Sequence, residues 1–347
     1  MKPTNVAVIG CGYWGINYIR VFSELPDIKV VMVSDSNEER LRVVRERFPL
    51  IPTTANWQDI LVNRWVDAVV IATPASSHFK IAKELLRGGK HLLVEKPMTT
   101  TVEDAQELVG VAEQHSRILM VGHTFLYNSG IQKVKQLMST GDFGRVYYLH
   151  AARTNMGPVR HDVNALWDLA GHDVAIFNYL LDRQPCWVSA VASKVLGNDR
   201  EDVVFATLNY SDHVIANIHV SWVDPNKVRE VVVVGSQRRI VFNDLNNVER
   251  VRIFEKGIAP EMEAGSFGEY RLLVRDGDII SPHVEASEPL KNQSSHFLEC
   301  IHSGTRPNTD GQSGVQVVRV LCALSDSVAL NGVPVSLDQE TLAKAVA

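Results

Sequence analysis

Three glycines follow directly on a short apolar run at the start of the chain. The run covers residues 5–9, and Gly10, Gly12 and Gly15 come next in the spacing G-x-G-x-x-G. The first glycine permits a tight turn, the second lets the backbone approach a bound group closely, and the third lets a helix pack on the strand. A helix that begins here directs free N–H groups and its positive dipole end at that group. The pattern predicts a strand, a turn and a helix that bind phosphates.

The glycine pattern opens a repeating order of apolar and amphipathic segments. Further short runs rich in Val and Ile lie at 29–33, 68–72, 91–94 and 118–121. Amphipathic segments alternate with the runs, at 15–25, 38–48, 77–86 and 102–115. Short continuous apolar runs are typical of strands buried on both faces of a parallel sheet. Residues 1–122 are therefore predicted to form a doubly wound parallel sheet with helices on both faces.

The order of segments changes after about residue 122. Helical patterns at 130–139 and 169–181 enclose a strand that ends near residue 153. Strand-like runs follow at 187–195, 203–210, 214–222, 231–234, 239–242 and 248–254. Residues 257–293 have the composition of loops, and two helices are expected near 294–302 and 314–330. Successive strands without intervening helices predict a second α/β domain over residues 123–347, with a large, mostly antiparallel sheet.

Composition excludes several classes of protein. A length of 347 residues suits two domains at about 150 residues each. The chain is 45% hydrophobic and 22% charged, which is typical of globular proteins, and its net charge of −5 predicts no nucleic acid partner. The four cysteines fit neither a disulfide framework nor a zinc site, and no apolar stretch reaches the roughly 18 residues of a membrane span. We expect a cytoplasmic enzyme without a metal site or a signal peptide.

An acidic residue points to the identity of the bound group. Asp35 ends the second strand about 20 residues after Gly15, where a carboxylate accepts hydrogen bonds from both ribose hydroxyls and repels a 2′-phosphate. This favours NAD over NADP as the cofactor, although Arg40 is a residue type that binds such a phosphate. The alternative is an ordinary glycine turn with Asp35 exposed. Neighbouring residues that we include as candidate cofactor contacts are Tyr13, Trp14 and Ser36.

A second group of candidate cofactor contacts follows the third strand. Ala72, Thr73 and Pro74 end the run 68–72, and ligands of open parallel sheets bind beyond the carboxyl ends of strands. We therefore expect this turn to contact the nicotinamide half of the cofactor, with a simple proline turn as the alternative. His78 lies at the start of the next helix, where it is a candidate contact or a capping or packing residue.

Two groups of residues carry the chemistry of proton transfer. Glu95 and Lys96 follow the run 91–94, and a lysine near a nicotinamide ring can polarise or deprotonate a substrate hydroxyl. Asp168 and His172 are four residues apart, so they share a helix face, and a carboxylate beside an imidazole suits proton transfer. The alternatives are a solvated lysine, a helix cap at Asp168 and a buried, satisfied histidine.

Together these motifs resemble the glucose–fructose oxidoreductase, inositol dehydrogenase and rhizopine catabolism (Gfo/Idh/MocA) family. The resemblance covers nearly the whole chain. It implies a Rossmann domain, a second α/β domain whose open sheet often forms homodimers or homotetramers, and NAD(P)-dependent hydride exchange at a sugar or cyclitol carbon. By position, Lys96 and His172 are the catalytic pair, and Asp168 lies at the substrate. We also include Glu95, Lys96 and His123 among the candidate cofactor contacts.

A narrower resemblance lies in the segments 122–128, 153–155, 160–168 and 221–229. They look like the nucleotide-sugar branch of the family, which oxidises C3 of UDP-N-acetylglucosamine or of its uronic acid. The 3-keto product then goes to an aminotransferase, in 2,3-diamino sugar pathways that serve lipid A or surface polysaccharide. Two alternative functions remain. The chain oxidises a free polyol such as inositol, or it is a catalytically silent NAD-binding sensor or repressor.

The local chemistry of these segments is compatible with a nucleotide sugar. Guanidinium groups bind phosphate oxygens bidentately, so Arg153 and Arg160 are candidate partners of a diphosphate, with a solvated face as the alternative. Polar side chains can bind sugar hydroxyls, and aromatic rings can stack on a ring of the substrate. The candidates for these contacts are Asn155, Asp162, Asn164, Phe125 and Trp167, and Lys96, Asp168 and His172 complete the substrate set.

Overall fold

The computed structural model describes residues 3–157, 159–160, 162–197, 199–260 and 272–337. Its backbone divides into two compact units. The N-terminal unit comprises Met1–Tyr127 with Ser287–Cys322, and the C-terminal unit comprises Asn128–Ala286 with Ala323–Ala347. The units differ in two respects from the sequence division at residues 122 and 123. The first boundary lies at residues 127 and 128, and the segment 287–322 belongs with the N-terminal unit. An amphipathic pattern shows that a helix buries one face, but it does not show which sheet covers that face.

The N-terminal unit is built on a parallel six-stranded sheet in the order β3-β2-β1-β4-β5-β6. Its strands are β1 (Thr4–Ile9), β2 (Ile28–Ser34), β3 (Thr53–Thr54), β4 (Ala68–Ile71), β5 (His91–Val94) and β6 (Leu119–Val121). Its helices are Tyr13–Glu24, Glu38–Arg47, Gln58–Val62, Ala75–Arg87, Val102–Gln114 and Pro289–Ser303. The strand order reverses between β1 and β4, which in doubly wound folds marks the ligand-binding edge. The predicted doubly wound parallel sheet is confirmed.

The central strands of this sheet are buried on both faces, as their composition predicts. Val6, Val8, Val69 and Val70 have no exposed surface, although alternate residues of a strand point to opposite faces. Strand β3 and the helix Gln58–Val62 were not predicted, because segments of two and five residues are too short to show a period.

The C-terminal unit contains a nine-stranded sheet in the order β16-β13-β12-β11-β7-β10-β9-β8-β17. Strands β7 and β10 pair in parallel, and the other neighbours pair antiparallel, so the predicted mostly antiparallel sheet is confirmed. The strands of this sheet are β7 (Val146–Thr154), β8 (Trp187–Ser193), β9 (Val203–Asn209), β10 (Ile215–Ser221), β11 (Val228–Gly235), β12 (Arg239–Asn243), β13 (Val251–Phe254), β16 (Ile279–Ile280) and β17 (Val335–Ser336). A separate hairpin joins β14 (Gly257–Pro260) and β15 (Leu272–Arg275).

Helices of the C-terminal unit include Ser129–Met138 and Gly171–Leu181. The last helix, Gly311–Ala329, begins in the N-terminal unit and ends in the C-terminal unit. A π-helical turn, Leu166–Ala170, precedes Gly171–Leu181 where the sequence predicts an α-helix from residue 169. Turns of this kind are frequent at functional sites.

Two other predicted segments differ from the structure. The strand predicted at 248–254 begins at Val251, because the Asn246 side chain accepts the backbone N–H groups of Val248 and Glu249 and holds a turn. The loops predicted at 257–293 contain β14, β15, β16 and the start of the helix Pro289–Ser303. Residues 261–271 of this segment lie outside the described residues.

Candidate functional site

The glycine pattern forms the turn between β1 and the first helix. Gly10 has a φ of +92°, and a Cβ atom there would lie 2.5 Å from the carbonyl oxygen of Ala72. A Cβ atom at Gly15 would lie 1.8 Å from the carbonyl oxygen of Gly10. At Gly12 a Cβ atom would meet no described atom within 4 Å. Folding therefore requires the first and third glycines, whereas the second leaves space in front of the helix.

That helix offers its N-terminus to an anion. Gly12 is the N-cap of Tyr13–Glu24, the cap makes no side-chain hydrogen bond, and the first turn carries no acidic residue. Uncapped N–H groups at a helix N-terminus bind phosphate. The open space at Gly12 and this helix end fit the pyrophosphate of a dinucleotide. Tyr13 and Trp14 are 79% and 39% exposed beside the turn, and Ser36 is also exposed.

Asp35 is buried at the end of β2, next to the glycine turn. One carboxylate oxygen accepts the backbone N–H of Cys11 at 2.6 Å, and the other accepts that of Asn37 at 2.8 Å. Arg40 Nη1 lies 3.5 Å from Asp35 Oδ2. Burial and the negative charge of Asp35 raise the pKa of the Cys11 thiol to about 12, so this thiol stays protonated. The carboxylate thus braces the turn and carries a negative charge beside it.

His78 joins two turns at the carboxyl edge of the parallel sheet. Its Nε2 lies 2.9 Å from the carbonyl oxygen of Thr73, and its Nδ1 lies 2.9 Å from that of Pro97. His78 is only 1% exposed. The ring therefore links the turn after β4 to the segment that follows Lys96, as a packing residue would. A direct contact of His78 with the cofactor stays a prediction.

A chain of buried hydrogen bonds holds Glu95, next to Lys96. Tyr18 donates its hydroxyl hydrogen to Glu95 Oε1 at 2.7 Å, and Gln293 donates to the Tyr18 oxygen at 2.8 Å. Thr124 donates to Gln293 Oε1 at 2.9 Å, and the backbone N–H of Lys96 points to Glu95 Oε2 at 3.1 Å. Burial and the charge of Glu95 raise the pKa of Tyr18 well above its usual value, so Tyr18 remains a donor.

Three members of this chain, Tyr18, Thr124 and Gln293, were not predicted as site residues from the sequence. Tyr18 lies in the helix Tyr13–Glu24, after the glycine pattern, but a tyrosine on a helix face gives no signal of a carboxylate partner. Gln293 lies in a segment predicted as loops. Lys96 itself is 7% exposed, and its peptide bond to Pro97 is cis.

His123 follows β6 and is 3% exposed. Neither ring nitrogen has a hydrogen-bond partner among the described residues. Burial and the nearby positive charge of Lys96 lower the pKa of His123 to about 4. His123 is therefore neutral at pH 7, and its predicted cofactor contact stays a prediction.

In the C-terminal unit, Arg153 makes a buried ion pair. Its Nη2 and Nε donate to the two carboxylate oxygens of Asp173 at 2.7 and 3.1 Å, and both residues are at most 5% exposed. This is the bidentate geometry that we predicted for a diphosphate, but its partner here is a carboxylate. The fork of Arg153 holds β7 to the helix Gly171–Leu181. Its role in substrate binding stays a prediction.

Arg160 lies between two predicted substrate residues. Its Nε donates to Asp162 Oδ1 at 2.8 Å, and its Nη1 donates to Asp168 Oδ1 at 3.2 Å. Trp222 donates its indole N–H to Asp168 Oδ2 at 3.3 Å. Burial lowers the pKa of Arg160, but the bonds to Asp162 and the charge of Asp168 outweigh it and raise the pKa. The structure therefore brings Arg160, Asp162 and Asp168 together.

The catalytic candidates Asp168 and His172 lie one turn apart on continuous helical backbone. Asp168 is in the π-helical turn, and the half-buried His172 is in the first turn of Gly171–Leu181. The prediction that Asp168 and His172 share a helix face is thus compatible with the structure. Asp168 is not the helix cap of our alternative, since Asn164 Oδ1 accepts the Trp167 N–H at the start of this helical segment.

The remaining substrate candidates have different surroundings. Asn164 also donates to Glu201 Oε2 at 2.7 Å, and the Trp167 indole donates to Ser325 Oγ at 3.0 Å. The side-chain oxygen of Asn155 is buried without a hydrogen-bond partner in the described part of the chain. In the N-terminal unit, Phe125 is half-buried in the 3₁₀ turn Thr124–Tyr127. Asn155 is therefore the candidate with an unused acceptor.

The described residues lack two other features. They contain no group of three or more His, Cys, Asp or Glu side chains that could hold a metal ion. None of the helices in these ranges is long and apolar enough to cross a membrane.

Two family models match consecutive parts of the chain. The model of the NAD-binding Rossmann fold of an oxidoreductase family matches residues 4–123, and that of the GFO/IDH/MocA C-terminal domain matches residues 131–241. The chain belongs to the Gfo/Idh/MocA oxidoreductase family. The predictions of this family and of an NAD(P)-dependent oxidoreductase are therefore confirmed.

Two relatives that are named for different activities are similar to this chain over most of its length. The UDP-N-acetylglucosamine 3-dehydrogenase of Acidithiobacillus ferrooxidans is 30% identical over 321 residues, which cover 92% of this chain and 95% of that protein. Its solved structure has a TM-score of 0.78 at 26% identity, over 93% of this chain and 98% of that one. The scyllo-inositol 2-dehydrogenase (NAD(+)) of Bacillus subtilis is 24% identical over 347 residues, or 96% of each chain.

Proposed function

We propose that this chain oxidises the C3 hydroxyl of UDP-N-acetylglucosamine to the 3-keto sugar with NAD⁺. The similarity to a UDP-N-acetylglucosamine 3-dehydrogenase, at 30% identity over 92% of this chain, carries the proposal. An aminotransferase would consume the 3-keto product, since a carbonyl carbon is what transamination requires. This places the chain in the formation of a 2,3-diamino sugar, the building block of some lipid A and surface polysaccharides.

We assign the cofactor to the N-terminal unit. Gly12 and the uncapped end of the helix Tyr13–Glu24 would hold the pyrophosphate, and Asp35 would accept the ribose hydroxyls. NAD is favoured over NADP because the negative charge of Asp35 repels a 2′-phosphate, and Arg40 is already directed at this carboxylate. When bound, the nicotinamide ring supplies the hydride acceptor. The ratio of kcat/KM for NAD⁺ to that for NADP⁺ tests the preference, and a ratio below one would contradict it.

The proton transfers are assigned to Lys96 and His172. One of them removes the proton of the C3 hydroxyl, and the other donates a hydrogen bond to the same oxygen as negative charge develops there. Asp168, held by Arg160 and Trp222, is a fixed negative charge one turn before His172, and it stabilises a proton on the imidazole. Glu95, fixed by Tyr18, gives the segment that carries Lys96 a defined position.

The experiment measures NADH formation from NAD⁺ and UDP-N-acetylglucosamine, coupled to a 3-aminotransferase and glutamate. Coupling removes the ketone, because alcohol oxidation by NAD⁺ is often uphill. Formation of a UDP-diamino sugar supports both the dehydrogenase and the C3 position. Turnover of inositol alone would favour an inositol dehydrogenase, as the Bacillus subtilis relative is named. Turnover of the uronic acid alone would make that nucleotide sugar the substrate. No turnover of any of the three would favour an NAD-binding sensor.

Variants test the assigned residues. Lys96→Ala and His172→Ala are each expected to lower kcat at least about 100-fold while the Kd for NAD changes little. Lys80→Ala and His213→Ala replace exposed residues of the same types and serve as matched controls. Retained turnover in both catalytic variants would refute the assignment.

We also propose that the chain forms a homodimer or homotetramer through one face of the nine-stranded sheet. Tyr148, Val191, Phe205 and Ile215 are 45–52% exposed, and pairing places Val191 beside Phe205 and Ile215 beside Tyr148. Exposed apolar side chains on neighbouring strands favour burial against a second copy. Light scattering after size exclusion should give a multiple of 38.6 kDa. A monomeric wild-type protein would contradict this, and Phe205→Glu is expected to reduce the mass.

A further inference from the structure

A cationic pocket lies at the amino edge of the parallel sheet in the N-terminal unit. Its volume is about 390 Å³, and its lining includes Thr4 and His91, the first residues of β1 and β5. The glycine turn, Thr73 and Lys96 all follow carboxyl ends of strands. Because the strands are parallel, these residues and the pocket lie at opposite edges of the sheet. The pocket is therefore separate from the proposed cofactor site.

Positive charge predominates in this pocket although the whole chain has a net charge of −5. Arg64, Lys90 and Arg117 line it, and Asp67 is the acidic residue among its lining side chains. Asp67 accepts the backbone N–H of Asn5 at 2.9 Å. Within the described ranges, no carboxylate forms an ion pair with Arg64 or Arg117. These two guanidinium groups therefore keep charge that an anion can neutralise.

Lys90 already uses its ammonium group in hydrogen bonds to the backbone. Its Nζ donates to the carbonyl oxygens of Asn63 and Val66, each at 2.8 Å. Burial lowers its pKa, with the charge of Asp67 acting in the opposite direction. Lys90 thus shapes the wall of the pocket, and its charge adds to the local positive potential.

The hydrogen bonds of His91 are in conflict. The backbone N–H of Ile118 points to His91 Nδ1 at 3.0 Å, so Nδ1 must carry a lone pair. Burial and the charge of Arg117 lower the pKa of His91 to about 4, and a neutral ring with a lone pair on Nδ1 carries its hydrogen on Nε2. Arg117 Nη1, which has only hydrogens to offer, lies 3.2 Å from that Nε2. Two donors therefore face each other without an acceptor.

We propose that this pocket is an anion site, in which a phosphate oxygen accepts hydrogen bonds from Arg117 Nη1 and His91 Nε2 and the charge of Arg64 attracts the anion. One acceptor placed beside both nitrogens resolves the conflict at His91 and neutralises the guanidinium charge. A phosphate has oxygens for several donors at once, and guanidinium groups match its geometry. Inorganic phosphate and a phosphomonoester share this chemistry.

The test is calorimetric titration of the full chain with inorganic phosphate. Saturating NAD is present, so that phosphate cannot occupy the proposed pyrophosphate site. Sodium chloride at equal ionic strength controls for screening, and glycerol 3-phosphate in a parallel titration distinguishes a monoester from the free ion. We expect a Kd in the range of about 1–10 mM, as suits a few charge-assisted hydrogen bonds on the surface of a protein.

Charge-removing variants identify the site. Arg117→Gln is expected to raise the Kd for phosphate at least about tenfold, and Arg64→Gln about threefold or more. Arg64 is exposed, so its replacement tests the proposal even if Arg117→Gln impairs folding. Lys80→Gln removes an exposed positive charge outside the pocket and should leave the Kd unchanged. Equal affinity in all four proteins, or no heat beyond that of chloride, would overturn the proposal.

Discussion

The three glycines after β1 are expected to respond differently to the same substitution. Gly12→Ala should leave folding almost unchanged, because a Cβ atom there would meet no described atom within 4 Å. Its φ of −68° suits alanine. The lower chain entropy of the unfolded state stabilises by about 0.4–1 kcal/mol, and loss of a glycine N-cap costs a similar amount. The free energy of unfolding should therefore change by less than about 1 kcal/mol.

The flanking glycines should not tolerate alanine. Gly10→Ala forces a φ of +92° on a residue with a Cβ atom, at about 1–2 kcal/mol, and places that atom 2.5 Å from the Ala72 oxygen. Overpacking adds about 1–3 kcal/mol. Gly15→Ala would place its Cβ atom 1.8 Å from a backbone oxygen, which no rotation of a side chain can relieve. We expect at least about 2 kcal/mol of destabilisation for each variant.

Urea unfolding without NAD and a calorimetric titration with NAD separate the two effects. A methyl group in the space at Gly12 should obstruct the pyrophosphate and raise the Kd for NAD about 10–100-fold in a stably folded protein. Wild-type affinity in Gly12→Ala would show that no phosphate approaches this backbone. Equal destabilisation of all three variants would refute the distinction drawn from the Cβ positions.

Three further predictions concern buried polar groups. His123 has a pKa of about 4 when folded and about 6.5 when unfolded, so the free energy of unfolding should fall by up to about 3 kcal/mol between pH 6.5 and 4. The urea concentration at the midpoint of unfolding should fall less steeply with pH in His123→Leu than in the wild-type protein. An equal dependence on pH in the two proteins would show that His123 is not its cause. Asp173→Asn removes the carboxylate that forms the buried ion pair with Arg153 and should destabilise by about 3–5 kcal/mol. A double variant with Arg153→Met and Asp173→Leu should recover most of the loss in the same assay. Tyr18→Phe removes the hydroxyl that donates to Glu95 Oε1 and should cost about 1–3 kcal/mol by urea unfolding. A neutral change would show that water replaces the hydroxyl.

Much of the fold was predictable because its causes are local. A short run of Val and Ile indicates a strand buried on both faces, and a glycine pattern directly after such a run specifies a turn that other residues cannot form. Thus Gly10 and Gly15 were recognised by steric requirements that involve few neighbours. The change from alternating helices and strands to successive strands after residue 122 likewise predicted a large, mostly antiparallel sheet, although not the number of its strands or their ends.

The polar partners of the candidate site were decided by the tertiary structure. The guanidinium fork of Arg153 suits a phosphate and a carboxylate equally, and only packing of β7 against the helix Gly171–Leu181 makes Asp173 its partner. Gln293 reaches Tyr18 across 275 residues of sequence, in a segment whose composition indicates loops. The sequence by itself determined which local conformations and chemical groups are available. Which groups meet depends on the packing of distant segments, because hydrogen bonds and ion pairs act over a few ångströms in space and leave no period in the chain.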